Sequence, residues 1–503
     1  MKEPEKYYIR TISPIHVGCD EVYEPMGFTI DEKECRMVAF DPFSLVSQLN
    51  DIEKQEFAKM CAKGSISSIL EIYKFLASKT VQGRYVEVCR GFLEHYKQTL
   101  SLPLNNENRI RQELNRFEIP RTAFRSIDQR PYIPGSAIKG ALRTAYLNQK
   151  ETEKQLSKRG KERDVKRLEQ RLMEYDGIPT DPFRMVKVSD FNPVGAAKTR
   201  IVYAINQKKK PTGRDARGIP LIFEIIEPGT LFQGTIAVEA PQKGAGIREP
   251  VTFTELLKST STFYEKEMER EKGELNAMGV GGSSVEDSSK ENAVPIRVGR
   301  HSGAESVTIE GHRDIFIMGG KGRKSFKDHA TTVWLASELR KPNVMNALLP
   351  FGWAQLAGMT DDTLCEEFQS MEREWQIKRE GTISRKRKEA ERNAELAKQA
   401  EEEAKKRALE EEEKQKEEAG KKAAREAMSP EERDIIRLKD SRISDQEVFD
   451  IFGRIDGFSG ENKIRAASAI KTYWERQCKW IKKDCSKKQW AKVQKIKEII
   501  GEA

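Results

Sequence analysis

The sequence predicts an α+β fold built on antiparallel strands, followed by a long charged helix and a small helical bundle. Three observations predict it. Short β-type runs recur through residues 1–370 and alternate with helical stretches. Residues 371–428 form an almost unbroken charged tract of helix formers. Residues 429–503 return to an amphipathic helical pattern. Domain bounds are therefore expected at 1–370, 371–428 and 429–503.

The elements follow in order. Tyr7 to Ile12 reads as an opening strand, and residues 27–30 and 37–40 flank the polar turn Asp31-Glu32-Lys33-Glu34 as a hairpin. Pro134 to Tyr146 begins as a turn and continues as a helix, with Ser136 placed to cap it. Residues 147–176 read as an inserted charged helix. Residues 221–226 and 233–238 flank Glu-Pro-Gly-Thr at 227–230 and predict a second hairpin. Residues 256–272 are helical by period, and the Gly- and Ser-containing stretch 273–293 reads as a mobile inserted loop. Strands joined by tight turns, with helices between, favour antiparallel sheets over a doubly wound parallel one.

The tract 385–428 is Ala, Glu, Lys and Arg, with Leu396 and Leu409 nearly its only large apolar residues. A coiled-coil seam needs Leu, Ile or Val at its core positions, so a solvated single helix fits better. Its charges almost cancel, which makes it a poor nucleic-acid arm. Ser429-Pro430-Glu431-Glu432 restarts the chain as a capping box. Val448, Phe449, Ile451, Phe452, Ile470 and Trp474 supply a bundle core. The last 35 residues are rich in lysine. That face suits phosphates, and a solvated helix surface accounts for it equally well.

Composition excludes several classes. No run of 18 apolar residues occurs, so no membrane-spanning helix is expected. The N-terminal MKEPEKYYIR lacks an apolar core, so a cytoplasmic location is expected rather than secretion. The seven cysteines lie scattered without a CxxC pair, and there are five histidines. A zinc ribbon, a disulfide framework and a dithiol redox centre are excluded, and no metal or cofactor is expected. The formal net charge of +9 permits a nucleic-acid partner without requiring one.

The most informative segment is Pro131-Tyr132-Ile133-Pro134-Gly135-Ser136-Ala137-Ile138-Lys139-Gly140-Ala141-Leu142-Arg143. A strand end meets a Pro-Gly turn and a helix begins. The helix start offers free N–H groups and a positive dipole end. Lys139 and Arg143 share one face, and Gly140 permits close backbone approach. Gly135, Ser136, Lys139, Gly140 and Arg143 thus suit a phosphate backbone held without base reading. A capped helix with two solvated cations is the alternative on physical grounds alone.

This segment closely resembles the signature of the RAMP superfamily of CRISPR proteins. Ile-Ser-Pro-Ile-His-Val-Gly at 12–18 is similar to that family's opening strand and glycine turn. Residues 181–190 resemble its central segment, and 224–232 its second-half turn. Ile-Arg-Val-Gly-Arg-His-Ser-Gly at 296–303 and Leu-Pro-Phe-Gly-Trp at 349–353 are most similar to the fifth subunit of type III-A (Csm) effector complexes. The resemblance spans about residues 7–358; the helix and bundle beyond lie outside it. It implies RRM-like, ferredoxin-like lobes. It also implies a subunit that caps the effector filament at the 3′ region of the CRISPR RNA (crRNA) and assists crRNA maturation. The implied partners are crRNA, the RAMP backbone subunits, the small subunit and a host nuclease.

Two basic loops add candidates. Gly299 and Gly303 bracket a loop whose small residues let N–H groups meet phosphates, with Arg297 and Arg300 supplying charge. Lys321, Arg323 and Lys324 follow; their Gly-Gly-Lys-Gly-Arg-Lys-Ser run lacks Walker A spacing. Lys208, Lys209 and Lys210 form the second loop. His16 lies within the 12–18 motif, and histidine is the general acid or base of some RAMP endoribonucleases. No paired carboxylates or Ser-His-Asp pattern accompany it. The expectation is a non-catalytic RNA-binding subunit. The alternatives are an endoribonuclease acting on precursor crRNA through His16, and a scaffold recruiting a nuclease through the C-terminal helices.

Overall fold

The computed structural model describes residues 5–79, 83–157, 165–210, 216, 218–280, 293–318, 324–359 and 362–502. They fall into two compact units, 1–381 and 382–503.

The first unit carries two main sheets. One runs in the order Val294–Arg297, Trp353–Gly358, Glu5–Thr11, Leu231–Val238, Val186–Val188, all antiparallel, with Asn192–Pro193 also paired to Leu231–Val238. Helices Gly135–Lys154 and Phe253–Ala277 cover one face, where Ile9, Phe232, Ile236 and Leu356 meet Ile138, Leu142, Leu256 and Tyr264. The other face carries Tyr8, Leu231 and Ala357 and is covered by Phe368, near the start of helix Asp362–Ala427. Glu372 fixes that cover, accepting two 2.8 Å bonds from Arg130, whose guanidinium lies 3.5 Å from the Trp375 ring. This carboxylate, with the Gly195 N–H as a further donor, has its pKa held down despite burial.

The second sheet runs Leu349–Pro350, Thr332–Ser337, Thr199–Lys208, Arg84–Val88, Arg36–Ala39, Phe28–Asp31, and Leu221–Ile226 also pairs with Thr199–Lys208. Its helices Ile66–Ala77, Arg90–Leu100 and Glu107–Leu114 pack Leu70, Tyr73, Phe92, Tyr96 and Ile110 against it. The hairpin expected at 27–40 is the pair Phe28–Asp31 and Arg36–Ala39. One contact is parallel: Glu87 and Val88 lie beside Arg200 and Ile201. The long stretch between them supplies the crossover a parallel pair needs.

Three expectations are corrected. The strands around 227–230 do not pair with each other. Leu221–Ile226 lies in the second sheet and Leu231–Val238 in the first, so this turn carries the chain between sheets. The turn docks on the opening strand instead: Gly229, at φ +84°, donates to Thr11 O at 2.7 Å, and Thr11 Oγ1 donates to Glu227 O at 2.7 Å. The charged helix expected over 147–176 is broken. Helix Gly135–Lys154 ends at Gln155, which is left-handed at φ +44°, and a separate helix spans Val165–Met173. The loop expected from residue 273 begins later, because helix Phe253–Ala277 runs through Gly273; residues 281–292 lie outside the described set.

Beneath this fold runs a buried ionic seam. Helix Phe253–Ala277 turns Glu267 and Glu271 inward. Glu271 Oε1 accepts from Arg297 Nη2 at 2.8 Å and Oε2 from Trp353 Nε1 at 2.7 Å. Arg297 also donates to Phe351 O at 3.0 Å and Ser306 Oγ at 3.1 Å, so both charges are paired and hydrogen-bonded. Glu267 accepts from Arg313 and Arg270, each at 2.8 Å.

The second unit comprises residues 382–427 of the long helix and the helices Pro430–Lys439, Asp445–Arg454, Gly460–Arg476 and Lys487–Ile500. Ser429 and Ser444 cap their helices with Glu432 and Glu447 in capping boxes. Ile435, Val448, Ile451, Ile470, Trp474, Val493 and Ile496 form the core. Among the described residues no helix is long and apolar enough to cross a membrane.

Glu271→Ala leaves Arg297 charged and without its carboxylate in the interior. The expected loss is about 3–5 kcal/mol of unfolding free energy, read as a fall in urea midpoint at constant m-value. A loss under about 1 kcal/mol would mean that the guanidinium needs no internal counter-charge.

Candidate nucleic-acid interface

The signature helix is held by the segment that follows it in the fold. Ile133 and Phe191 exchange main-chain hydrogen bonds at 2.9 and 3.1 Å, bringing 188–190 under the helix start. The Gly135 N–H donates to Asp190 Oδ1 at 2.8 Å, and a Cβ at Gly135 would lie 2.5 Å from Val188 O. Asp190 therefore takes the capping place expected of Ser136, which is exposed and makes no capping bond. A carboxylate of the chain itself already occupies the positive helix end.

The two cations of the motif also turn inward. Lys139 Nζ donates to Val186 O at 2.8 Å, and burial lowers its pKa. Arg143 donates to Glu169 Oε2 at 2.6 Å, Asp181 Oδ1 at 3.1 Å and the Tyr175 hydroxyl at 3.2 Å. Instead of the expected phosphate grip, Lys139 and Arg143 fasten residues 181–186 to the helix. Gly140 is exposed, and among the described residues nothing beyond its own helix turn comes within 4 Å of its Cβ position.

The glycine-rich loop is built differently. Gly299 sits at φ +88°, and a Cβ there would fall 2.5 Å from His16 O. The next N–H, of Arg300, donates to that same oxygen at 2.8 Å. Gly352, at φ +94°, would place a Cβ 2.6 Å from Ser302 Oγ. Gly303 is likewise left-handed, at φ +76°. A side chain at these glycines would be strained by φ, and at Gly299 and Gly352 it would also meet atoms within 2.6 Å.

Between the glycines, His301 projects into an aromatic stack. Its ring centroid lies 4.6 Å from Trp334 and 5.1 Å from Phe223. His16 also stacks on Phe223, at 4.8 Å and 26°. His16 is fully buried, with Nδ1 2.7 Å from Glu224 O. Burial lowers the pKa of His16, and burial with Arg300 and His16 nearby pushes that of His301 down to about 4. Arg300 itself is exposed, its guanidinium 5.4 Å from the Phe223 centroid. The loop thus anchors through His301 and presents Arg300.

Arg297 is corrected as a phosphate contact: its side chain is 0 % exposed and committed to Glu271. Lys209 pairs with Glu274 at 2.9 Å and Glu305 at 2.7 Å. Burial pushes the Glu305 pKa up, but Lys209 and the Ala330 N–H outweigh it and hold it to about 2. Lys208 is half-buried and Lys210 is exposed. Lys324 is exposed on the two-stranded ribbon Ile315–Met318 and Lys324–Lys327; Lys321 and Arg323 lie outside the described residues.

Sequence reading missed Asp190, Glu271, Phe223 and Trp334. The Asp190 cap is remote in sequence and so carries no local capping signature. Glu271 sits in a helix whose other glutamates are mostly solvated, and only its place on the helix face that carries Tyr264 and Glu267 hints at burial.

The model of the RAMP superfamily matches residues 8–284, more than half of the chain, and the chain belongs to that superfamily. Within it, the chain is Csm5-like. It is 28 % identical over 239 residues to the CRISPR system Cms protein Csm5 of Methanocaldococcus jannaschii, covering 45 % of this chain and 51 % of that protein. It is 26 % identical over 151 residues to the protein of the same name from Mycobacterium tuberculosis, covering 26 % of this chain and 39 % of that one. The chain thus spans about half or less of the curated relatives it matches. Among solved structures, a chain of a type III-A Csm-crRNA-target RNA ternary complex superposes with a TM-score of 0.47 at 20 % identity, over 70 % of this chain and 100 % of that one. T. onnurineus Csm5 superposes with a TM-score of 0.41 at 18 % identity, over 69 % and 99 %.

Two outcomes are expected. Arg143→Ala should cost about 1–3 kcal/mol, between the values for exposed and buried pairs, and leave RNA affinity unchanged in a filter-binding assay. His301 has a folded pKa below its unfolded value, so stability is full above about pH 6.5 and falls as pH drops toward 4. The whole shift would amount to about 3 kcal/mol, and solvent screening of a partly exposed ring reduces it to about 2. His301→Asn tolerates the left-handed backbone and should flatten the pH dependence of urea unfolding between pH 6.5 and 4. Residual slope from His16 has the same sign.

Proposed function

We propose that this protein is a non-catalytic RNA-binding subunit of a type III-A CRISPR effector complex. It caps the filament at the 3′ region of the crRNA and assists crRNA maturation. The similarity to Csm5 proteins carries the reading. Its lobes are RRM-like, each a largely antiparallel sheet packed by helices, and the RAMP region 1–370 does the gripping. The RNA is held by shape and phosphate contacts. The contacts are Arg300, Lys210 and Lys324, with the N–H groups near Gly299 and Gly303 beside them. Crowding by the chain around Gly299 favours a loop whose shape is set before RNA arrives. The partners are crRNA and the RAMP backbone subunits, with the small subunit and a host nuclease reached in the assembly.

The burial of His16 favours this reading over an endoribonuclease. Its Nδ1 is engaged by a main-chain carbonyl and its ring is closed under Phe223, whereas a general acid or base must reach the 2′-hydroxyl it serves.

Tagged protein drawn from its host should carry short RNAs with a repeat-derived 5′ tag, together with RAMP backbone subunits. Recovery of the chain alone, without RNA, would sink the proposal. Replacing Arg300, Lys210 and Lys324 together by Ala should lower the slope of log affinity against log salt by about 2, at about 0.7 per single-strand phosphate contact.

A further inference from the structure

The second unit holds a charged surface that the RAMP region does not account for. Residues 479–497 contain eight lysines and one aspartate, whereas the rest of 429–503 has nine Lys and Arg against twelve Asp and Glu. The charge is segregated onto one stretch of chain. Elsewhere in the bundle Arg437, Arg454, Lys463 and Lys471 pair with carboxylates, and within 479–497 Lys479 pairs with Asp445 and Lys495 with Asp456. Lys482, Lys483, Lys487 and Lys488 are exposed, and among the described residues none of the four has an ion-pair partner.

Two features separate this surface from an ordinary solvated helix. Lys487 and Lys488 are the first residues of helix Lys487–Ile500, behind the Ser486 cap. A cation there opposes the helix dipole and raises the positive potential where an anion is favoured. The same stretch of chain carries two half-buried indoles, Trp480 and Trp490. Lys471 and Lys497 each lie 5.7 Å from the Trp480 ring centroid, and Lys497 lies 5.8 Å from that of Trp490. The rings hold the stem of Lys497 in place, so less of its side-chain freedom remains to be lost on binding. Their partly open faces also suit stacking by an unpaired base.

We infer that residues 480–490, with the adjoining Lys497, form a second nucleic-acid surface that takes a single-stranded phosphodiester backbone without reading its sequence. Lysine is a point charge and lacks the fork that matches a guanine edge, so the surface positions a strand and does not specify it. The inference uses residues of the second unit alone and stands apart from the contacts proposed at Arg300.

The test uses the full chain and fluorescent uridine and deoxythymidine homopolymers titrated across salt. Replacing Lys482, Lys483, Lys487 and Lys488 together by Ala should reduce the slope of log affinity on log salt by about 3, at about 0.7 per contact. The same four positions changed to Arg should restore it. RNA and DNA tracking together would assign the backbone alone, and a drop seen with RNA only would assign the ribose as well. An unchanged slope with both polymers would overturn the inference. So would displacement of RNA by polyglutamate as readily as by unlabelled RNA, which would assign the surface to an acidic protein. Loss of RNA binding at Arg300 with this slope change intact, or the reverse, tells the two proposals apart.

Discussion

The pairing of Arg297 with Glu271 is the constraint on which the first unit turns. It joins three pieces of chain distant in sequence: helix Phe253–Ala277, the edge strand Val294–Arg297 and the Trp353 that follows Gly352. A buried pair of this kind is weak as a source of stability, because desolvation offsets most of the Coulombic gain. It is strong as a determinant of geometry, because few arrangements satisfy both groups. Arg297, just before the glycine-rich loop, also bonds Ser306 just after it and the Phe351 carbonyl, so one side chain ties the loop's two ends together. The positive φ at Gly299, His301, Gly303 and Gly352 follows from threading a chain through that space.

With the loop so held, its side chains divide in role. His301 enters the stack with Trp334, Phe223 and His16, and neighbouring Arg300 remains outside. The same division governs the signature helix, where Lys139, Arg143 and the Gly135 N–H are all answered from within the chain. A motif can mark a superfamily because its members share a fold. Here the residues of that motif fasten residues 181–190 to helix Gly135–Lys154, and the exposed charge lies elsewhere.

The parts of the fold legible in sequence were those whose cause is local. The capping box of Ser429 with Glu432, the hairpin at 28–39 and the body of helix Phe253–Ala277 each depend on residues a few positions apart. The misread parts depend on distant partners. The turn at 227–230 looks like a hairpin turn, yet Leu221–Ile226 is buried on both faces and finds its ladder on Thr199–Lys208. Nothing near Gly135 in sequence marks Asp190 as its cap. Arg297 reads as a surface cation until Glu271 is placed beside it. The site was legible in its glycines, since a conformational requirement shows in the residue itself; which cation faces solvent is a tertiary fact.

The net charge of +9 looked modest because the chain spreads and cancels it. In the tract 385–428 there are fourteen Lys and Arg against thirteen Asp and Glu, and pairs such as Arg387 with Glu391 and Lys416 with Glu412 answer each other one turn apart. Such a helix neutralises itself and offers little net field to a polyanion. In the first unit many basic side chains are likewise answered from within, Arg130, Arg143, Lys209 and Arg297 among them. What is left over includes Lys482, Lys483, Lys487 and Lys488 within 479–497, where Lys479 and Lys495 are answered by Asp445 and Asp456. Potential outside a protein depends on uncompensated charge rather than on the total. The overall figure therefore understates the field at one end of the C-terminal bundle and overstates it along the helix that leads there.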